Sequence, residues 1–204
     1  MNFKFYLISD RKLFSSEESF LNAVDTALKT GIKAFQLREK DMTTREFYFL
    51  AKKLREITRR NDALFVINDR VDVAMAVEAD GVHLPQNGLP PDIVKKVWKD
   101  KFLIGVSTHS LKEAIESSEW ADFITFGPVF YTPSKSQYGE PLGVEILKKV
   151  KSKVRCPVFA VGGIKHDNMK TVFSHCDGVA LISGILAQSN IEEAVKQYLK
   201  ILGE

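Results

Sequence analysis

Short runs of four or five apolar residues alternate along this chain with longer segments in which apolar side chains recur every three or four positions, from Phe3 to Leu202. The runs predict strands over Phe5 to Ile8, Ala34 to Leu37, Leu64 to Ile67, Gly81 to Leu84, Leu103 to Val106, Phe123 to Phe126, Val158 to Val161 and Gly178 to Ile182. The periodic segments predict helices near 17–29, 44–59, 70–77, 90–98, 110–118, 142–151, 166–173 and 191–202. Strict alternation of the two predicts a parallel sheet. The strands are apolar at nearly every position, as expected when both faces are covered. A single (β/α)8 TIM barrel spanning 1–204 accounts for the count with short connections. An open doubly wound sheet is the alternative, but the glycine fingerprint it needs after the first strand is replaced by Ser9-Asp10-Arg11.

Local signals support these bounds. Thr44 ahead of Phe47, Leu50, Ala51 and Leu54 reads as a cap and an apolar stripe, and Ser110 ahead of Leu111, Ala114 and Ile115 repeats it. Pro90-Pro91 suits a first helical turn. Ala79-Asp80-Gly81, Ala121-Asp122-Phe123 and Cys176-Asp177-Gly178 each place an Asp just before a strand. That is the amino-terminal rim of a barrel, where a stabilising role is expected rather than catalysis.

Composition narrows the class. The chain has 204 residues, 45% hydrophobic and 27% charged, with net charge +3. No acid-free basic stripe suggests nucleic acid; Lys148, Lys149, Lys151 and Lys153 read as the solvated end of a helix. No apolar run is long enough to span a membrane, and the first residues lack the pattern of a signal peptide, so a cytoplasmic location is expected. Cys156 and Cys176 lack partners at metal-ligand spacing and read as reduced thiols. Small-molecule partners are expected, and nothing in the sequence sets the oligomeric state or speaks against a homo-oligomer.

The candidate chemistry follows the strands. Gln36-Leu37-Arg38-Glu39-Lys40 closes the second strand, Asn68-Asp69 the third, His83 the fourth, and Ser107-Thr108-His109 the fifth. Thr132, Ser134 and Lys135 lie beyond the sixth, Gly162-Gly163 after the seventh, and Ser183-Gly184 after the eighth. In a barrel these ends converge on one rim. The two glycine turns suit a phosphate, because backbone N–H groups can approach its oxygens. Arg38, Lys40 and Lys135 suit a second anion, a planar fork being combined with point charges. Asp69 is a candidate ligand for a divalent cation. His83 reads as an orienting or packing residue, and His109 as part of a polar pocket.

With Gly81-Val82-His83, Gly105-Val106-Ser107-Thr108-His109, Gly127-Pro128-Val129-Phe130, Thr132-Pro133-Ser134-Lys135, Gly162-Gly163-Ile164 and Ile182-Ser183-Gly184 in order, the chain resembles the thiamin phosphate synthases and their relatives, the thiazole tautomerases, from end to end. The resemblance implies a (β/α)8 barrel that joins a pyrimidine diphosphate to a thiazole phosphate and releases pyrophosphate, using Mg2+. It implies that Gln36, Arg38, Lys40, Asn68 and Ser107 bind the pyrimidine substrate and its diphosphate, with Lys135 on the same leaving group. Arg38, Lys40, Ser107 and Lys135 are then the catalytic set. Thr132 and Ser134 would contact the thiazole, Gly163, Ile182 and Ser183 would hold its phosphate, and Asp69 would bind the metal.

Two positions depart from the family. Gly88 stands where the synthases usually carry a second metal-binding Asp, and His83-Leu84-Pro85 with Gly139-Glu140-Pro141-Leu142-Gly143 looks more like the tautomerase branch. Pro128 stands where a tautomerase type has a His. The retained clamp of Arg38, Lys40, Asp69 and Lys135 favours synthase chemistry. Thiazole isomerisation, or thiazole phosphate binding without turnover, are the alternatives. A phosphate-binding isomerase or aldolase would need a deep basic residue, for which Lys40 is the sole candidate.

Overall fold

In the computed structural model, residues 1, 3–132, 140–201 and 203 are described. The strands β1 (Phe5–Ile8), β2 (Ala34–Leu37), β3 (Leu64–Asn68), β4 (Gly81–Leu84), β5 (Leu103–Thr108), β6 (Phe123–Phe126), β7 (Val158–Val161) and β8 (Gly178–Leu181) form a closed parallel barrel in chain order, β8 pairing with β1. The helices are α1 (Glu17–Thr30), α2 (Thr44–Arg60), α3 (Val71–Ala76), α4 (Pro91–Trp98), α5 (Leu111–Ser117), α6 (Gly143–Lys153), α7 (His166–Phe173), α8 (Ser183–Leu186) and α9 (Ile191–Ile201). The expected elements are present. Three strand bounds moved: β3 runs on to Asn68, β5 runs on through Ser107 and Thr108, and the expected β8 residue Ile182 instead caps α8, a short helix the sequence pattern did not reveal.

Two apolar layers explain the uniform strands. Phe5, Leu7, Phe35, Leu37, Phe65, Ile67, Val82, Ile104, Ile124, Val158 and Val179 face the helices, packing with residues such as Phe20, Leu50, Leu54 and Leu147. The alternate residues, Tyr6, Ile8, Ala34, Val66, Phe123, Phe159 and Ala180, fill the barrel interior. Room for the interior rings comes from glycine: a Cβ on Gly178 would lie 2.2 Å from the Phe159 ring, and one on Gly105 2.4 Å from Phe123.

Local chemistry sets the helix starts. Thr43, not Thr44, caps α2, in a reciprocal pair with Glu46; the backbone of Thr43 is extended while Thr44 is already helical. Ser110 caps α5 as expected.

The three pre-strand Asp residues each clamp their strand to the preceding one. Asp80, Asp122 and Asp177 donate backbone N–H to the carbonyls of Phe65, Ile104 and Val158, and their carboxylates accept from the N–H of the same residues at 2.7 Å. Asp177 also receives Lys151, so this lysine is tied to the rim and is not simply part of a solvated helix end. Among the described residues, no helix is long and apolar enough to cross a membrane.

Candidate functional site

The alternation that fills the barrel continues at its carboxyl end, where the interior positions become polar. Gln36, Asn68, His83, Ser107 and Thr125 share the interior parity of Ala34, Val66, Gly81, Gly105 and Phe123 along their strands. Arg38, one residue beyond β2, continues it. Residues distant in sequence are thus stacked around one mouth by the pleat, since side chains two apart point the same way.

Arg38 is half-buried and Lys40 exposed, and neither forms an ion pair among the described residues. Glu39, between them, is buried and turned the other way. Its carboxylate accepts from the Ser9 hydroxyl at 2.6 Å and the Arg11 N–H at 3.0 Å, while Ser9 Oγ accepts from the Arg38 N–H at 2.8 Å. This knot ties together the turns after β1 and β2 and keeps Glu39 from pairing with either cation. Neither Ser9 nor Glu39 stood out in the sequence as a brace.

Burial pushes the Glu39 carboxyl above its ordinary pKa, against the lowering by Ser9 and Arg11. A raised folded-state pKa means a contribution to stability that is full below about pH 4 and is lost as the group ionises. Glu39→Gln keeps an acceptor for Ser9 and Arg11 without the buried charge. It is therefore expected to gain stability at pH 7 and change little at pH 3, as read by chemical denaturation. A loss at pH 7 that exceeds the loss at pH 3 would show that the charged form is the one the fold favours.

Asp69 follows β3 with φ +65°, a left-handed conformation that Asp tolerates better than most residues, and donates its N–H to the His83 carbonyl. A Cβ on Gly88 would lie 2.8 Å from Asp69 Oδ1. Gly88 therefore faces Asp69 directly, and an acid there would sit beside it. No group of three or more His, Cys, Asp or Glu capable of holding a metal occurs among the described residues. One carboxylate does suit magnesium, which commonly takes one or two carboxylates with substrate phosphate and water. Arg70 is committed elsewhere, to Asp72 and to the Thr44 hydroxyl.

Across the mouth, Gly162 (φ +96°) and Gly163 (φ +64°) form the turn after β7. Both need glycine twice over, for the backbone and for space: a Cβ on Gly163 would lie 2.7 Å from the Tyr131 carbonyl oxygen. The Phe130 N–H donates to Gly162 O, locking the loop after β6 to this turn. Ile182 caps α8, and Ser183, its first residue, is exposed beside the glycines' rim. His109 uses Nδ1 on the Gly127 carbonyl and so braces the tops of β5 and β6. Thr132 ends the described part of that loop; Ser134 and Lys135 lie outside the described residues.

A separate cleft of about 550 Å³ opens between the starts of α1 and α2, lined by Arg11, Phe14, Phe20, Met42 and Phe49 among others. Arg38 and Lys40 are not in its lining, so it is distinct from the mouth.

The sequence of the thiamine monophosphate synthase family matches this chain over residues 5–185. A relative from Clostridium novyi named thiamine-phosphate synthase is 39% identical over 98% of this chain and 99% of its own. A protein of Aquifex aeolicus named putative thiamine-phosphate synthase 2 is 45% identical over 90% of this chain and 97% of its own. The solved thiamine phosphate pyrophosphorylase of Pyrococcus furiosus superposes with a TM-score of 0.88 at 39% identity, covering 98% of this chain and 96% of that one. With the ordered rim motifs, these similarities place the chain in the thiamine monophosphate synthase family.

Proposed function

We propose that this chain is a transferase that condenses a hydroxymethylpyrimidine diphosphate with a thiazole phosphate to give thiamin phosphate and pyrophosphate. This reading is supported by two groups on one rim of the barrel: the cations Arg38 and Lys40, which have no counter-ion among the described residues, and the glycine turn at Gly162-Gly163 with Ser183.

The reaction needs little acid–base chemistry. The thiazole nitrogen lone pair forms the new C–N bond to the pyrimidine methylene carbon as its C–O bond to the diphosphate breaks. The electron pair leaves with pyrophosphate and the ring nitrogen becomes the thiazolium cation. What the protein must supply is stabilisation of the negative charge that builds on the leaving group, and fixed positions for the reactants. Arg38, with Lys40 and Lys135, fits the first task. Ser107 and Asn68 hold the pyrimidine diphosphate end, and Gly163, Ile182, Ser183, Thr132 and Ser134 the thiazole phosphate. Asp69 would hold Mg2+, which adds positive charge at the diphosphate.

Gly88 beside Asp69 favours one second reading, isomerisation of a thiazole carboxylate phosphate, which needs no diphosphate clamp. Both are tested with purified protein, the two substrates and magnesium, following pyrophosphate release while monitoring thiazole isomerisation without the pyrimidine. Pyrophosphate formation is expected, with a magnesium requirement weaker in affinity than a two-carboxylate site gives. Isomerisation alone would overturn the synthase reading, and no turnover with retained phosphate-ligand binding would leave a binding protein.

A further inference from the structure

Beneath the mouth, Gln36 and Ser107 are joined through two buried polar groups, Tyr6 and His83, that the reaction as described does not use. Gln36 Nε2 donates to the Tyr6 hydroxyl at 2.8 Å, Tyr6 Oη lies 3.4 Å from His83 Nδ1, and His83 Nε2 lies 3.0 Å from Ser107 Oγ and 3.3 Å from Thr125 Oγ1. Tyr6 is fully buried, Gln36 is 1% exposed and His83 2%. Gln36 Oε1 is buried with no hydrogen-bond partner among the described residues. An unpaired buried carbonyl of this kind is destabilising unless a ligand or water satisfies it. Gly105 is part of the arrangement, since a Cβ there would lie 2.6 Å from His83 Nδ1.

Proton counting couples the two ends. Burial pushes the Tyr6 phenol upward in pKa, so it keeps its proton. Among the described residues, the Tyr6 hydroxyl has two hydrogen-bond neighbours, Gln36 and His83. With Gln36 presenting its NH2, the phenol proton must go to His83 Nδ1 or remain unpaired in a dry interior. His83 is then the neutral tautomer with its proton on Nε2, donated to Ser107. Ser107, having accepted, is free to donate its own proton into the mouth. The opposite direction, His83 to Tyr6 to Gln36 oxygen, reverses both ends: it exposes an amide NH2 at Gln36 and takes the Ser107 proton inward.

We infer that Tyr6 and His83 are positioning residues that fix one hydrogen-bond direction, presenting an acceptor at Gln36 and a donor at Ser107 together. Resting on the synthase reading, this pair of faces matches an aminopyrimidine diphosphate, whose exocyclic amine donates and whose phosphate oxygens accept. It gives discrimination between an amino and an oxo ring, because the wrong group meets the Gln36 carbonyl oxygen and reversal would cost Ser107 its proton.

The test combines ¹⁵N NMR of the His83 ring with steady-state kinetics of Tyr6→Phe, Ser107→Ala and the double variant. The wild type is expected to hold the His83 proton on Nε2, and Tyr6→Phe to give a mixture of tautomers. In Tyr6→Phe the KM for pyrimidine diphosphate should rise about tenfold, with the thiazole phosphate KM changed less than about twofold. Discrimination against an oxo analogue should largely vanish, and the double variant should lose less than the product of the two single losses. A wild-type proton on Nδ1, an unchanged tautomer in Tyr6→Phe, or parallel loss for both substrates would overturn the relay. If the wild type has no synthase activity the functional reading fails, while the tautomer measurement still judges the relay.

Discussion

Arg38→Ala lowers kcat/KM for the pyrimidine diphosphate by about 10²- to 10³-fold, the range seen when one preorganised donor to a developing anion is removed. The expectation rests on three features of the site. The guanidinium sits at the interior parity of β2, has no ion-pair partner among the described residues, and is positioned through its own N–H on Ser9. Because the charge on pyrophosphate grows as the C–O bond breaks, kcat should fall along with kcat/KM. Arg38→Lys should recover part of the rate, since it restores charge but not the planar fork. The KM for thiazole phosphate, proposed to bind at the glycine turn, should change less than about twofold. Varying each substrate in turn separates these outcomes. A parallel rise in both KM values would show one shared anion site, and an unchanged kcat/KM would remove Arg38 from the chemistry.

The second large effect concerns the opposite rim. Asp80→Ala is expected to destabilise the fold by about 2–4 kcal/mol, or roughly 10 °C in melting temperature for a domain of this size. Asp80 accepts from the Phe65 N–H and also pairs both carboxylate oxygens with Arg55 at 2.7 and 3.0 Å. Arg55 has a side chain only 13% exposed, so the variant leaves a largely buried cation without its partner. Asp122 makes the same strand clamp on Ile104 without an ion pair among the described residues. Asp122→Ala should therefore cost less, about 1–2 kcal/mol. Denaturant melts of the two variants compare the terms directly. Equal losses would mean that the ion pair adds nothing beyond the strand clamp. Activity per folded molecule should be retained in both, since these groups lie on the rim away from the mouth.

Much of this molecule is legible in its sequence. Eight apolar runs separated by amphipathic segments dictate a parallel sheet, because each run must be covered on both faces, and their count fits a closed barrel. Gly162-Gly163, Arg38 and Asp69 could be placed at one rim because every strand of a parallel barrel ends there. The Asp repeat ahead of β4, β6 and β8 marked the other rim. The cap of α2 was misplaced by one residue because Thr43 and Thr44 are chemically alike, and only the backbone and the reciprocal bond to Glu46 distinguish them. The short helix α8 was hidden because four residues are too few to show a period.

What the tertiary structure decided is which polar groups meet. In a strand that is apolar at every position, no alternation reveals which face looks inward. Thus Tyr6 in Phe5-Tyr6-Leu7-Ile8 reads as one more core residue until register sets its hydroxyl beside Gln36 and His83. Glu39 likewise reads as part of a charged turn until the closing of β1 against β2 buries it on Ser9 and Arg11. Gly88 is seen to face Asp69 only once two loops, from β3 and β4, are folded together. The elements, their parallel order and the rim on which the candidate residues gather are legible in the sequence, because they follow from local periodicity and chain direction. The direction of the hydrogen bonds beneath the mouth and the freeing of Arg38 and Lys40 from Glu39 depend on contacts between strands, which only the closed barrel creates.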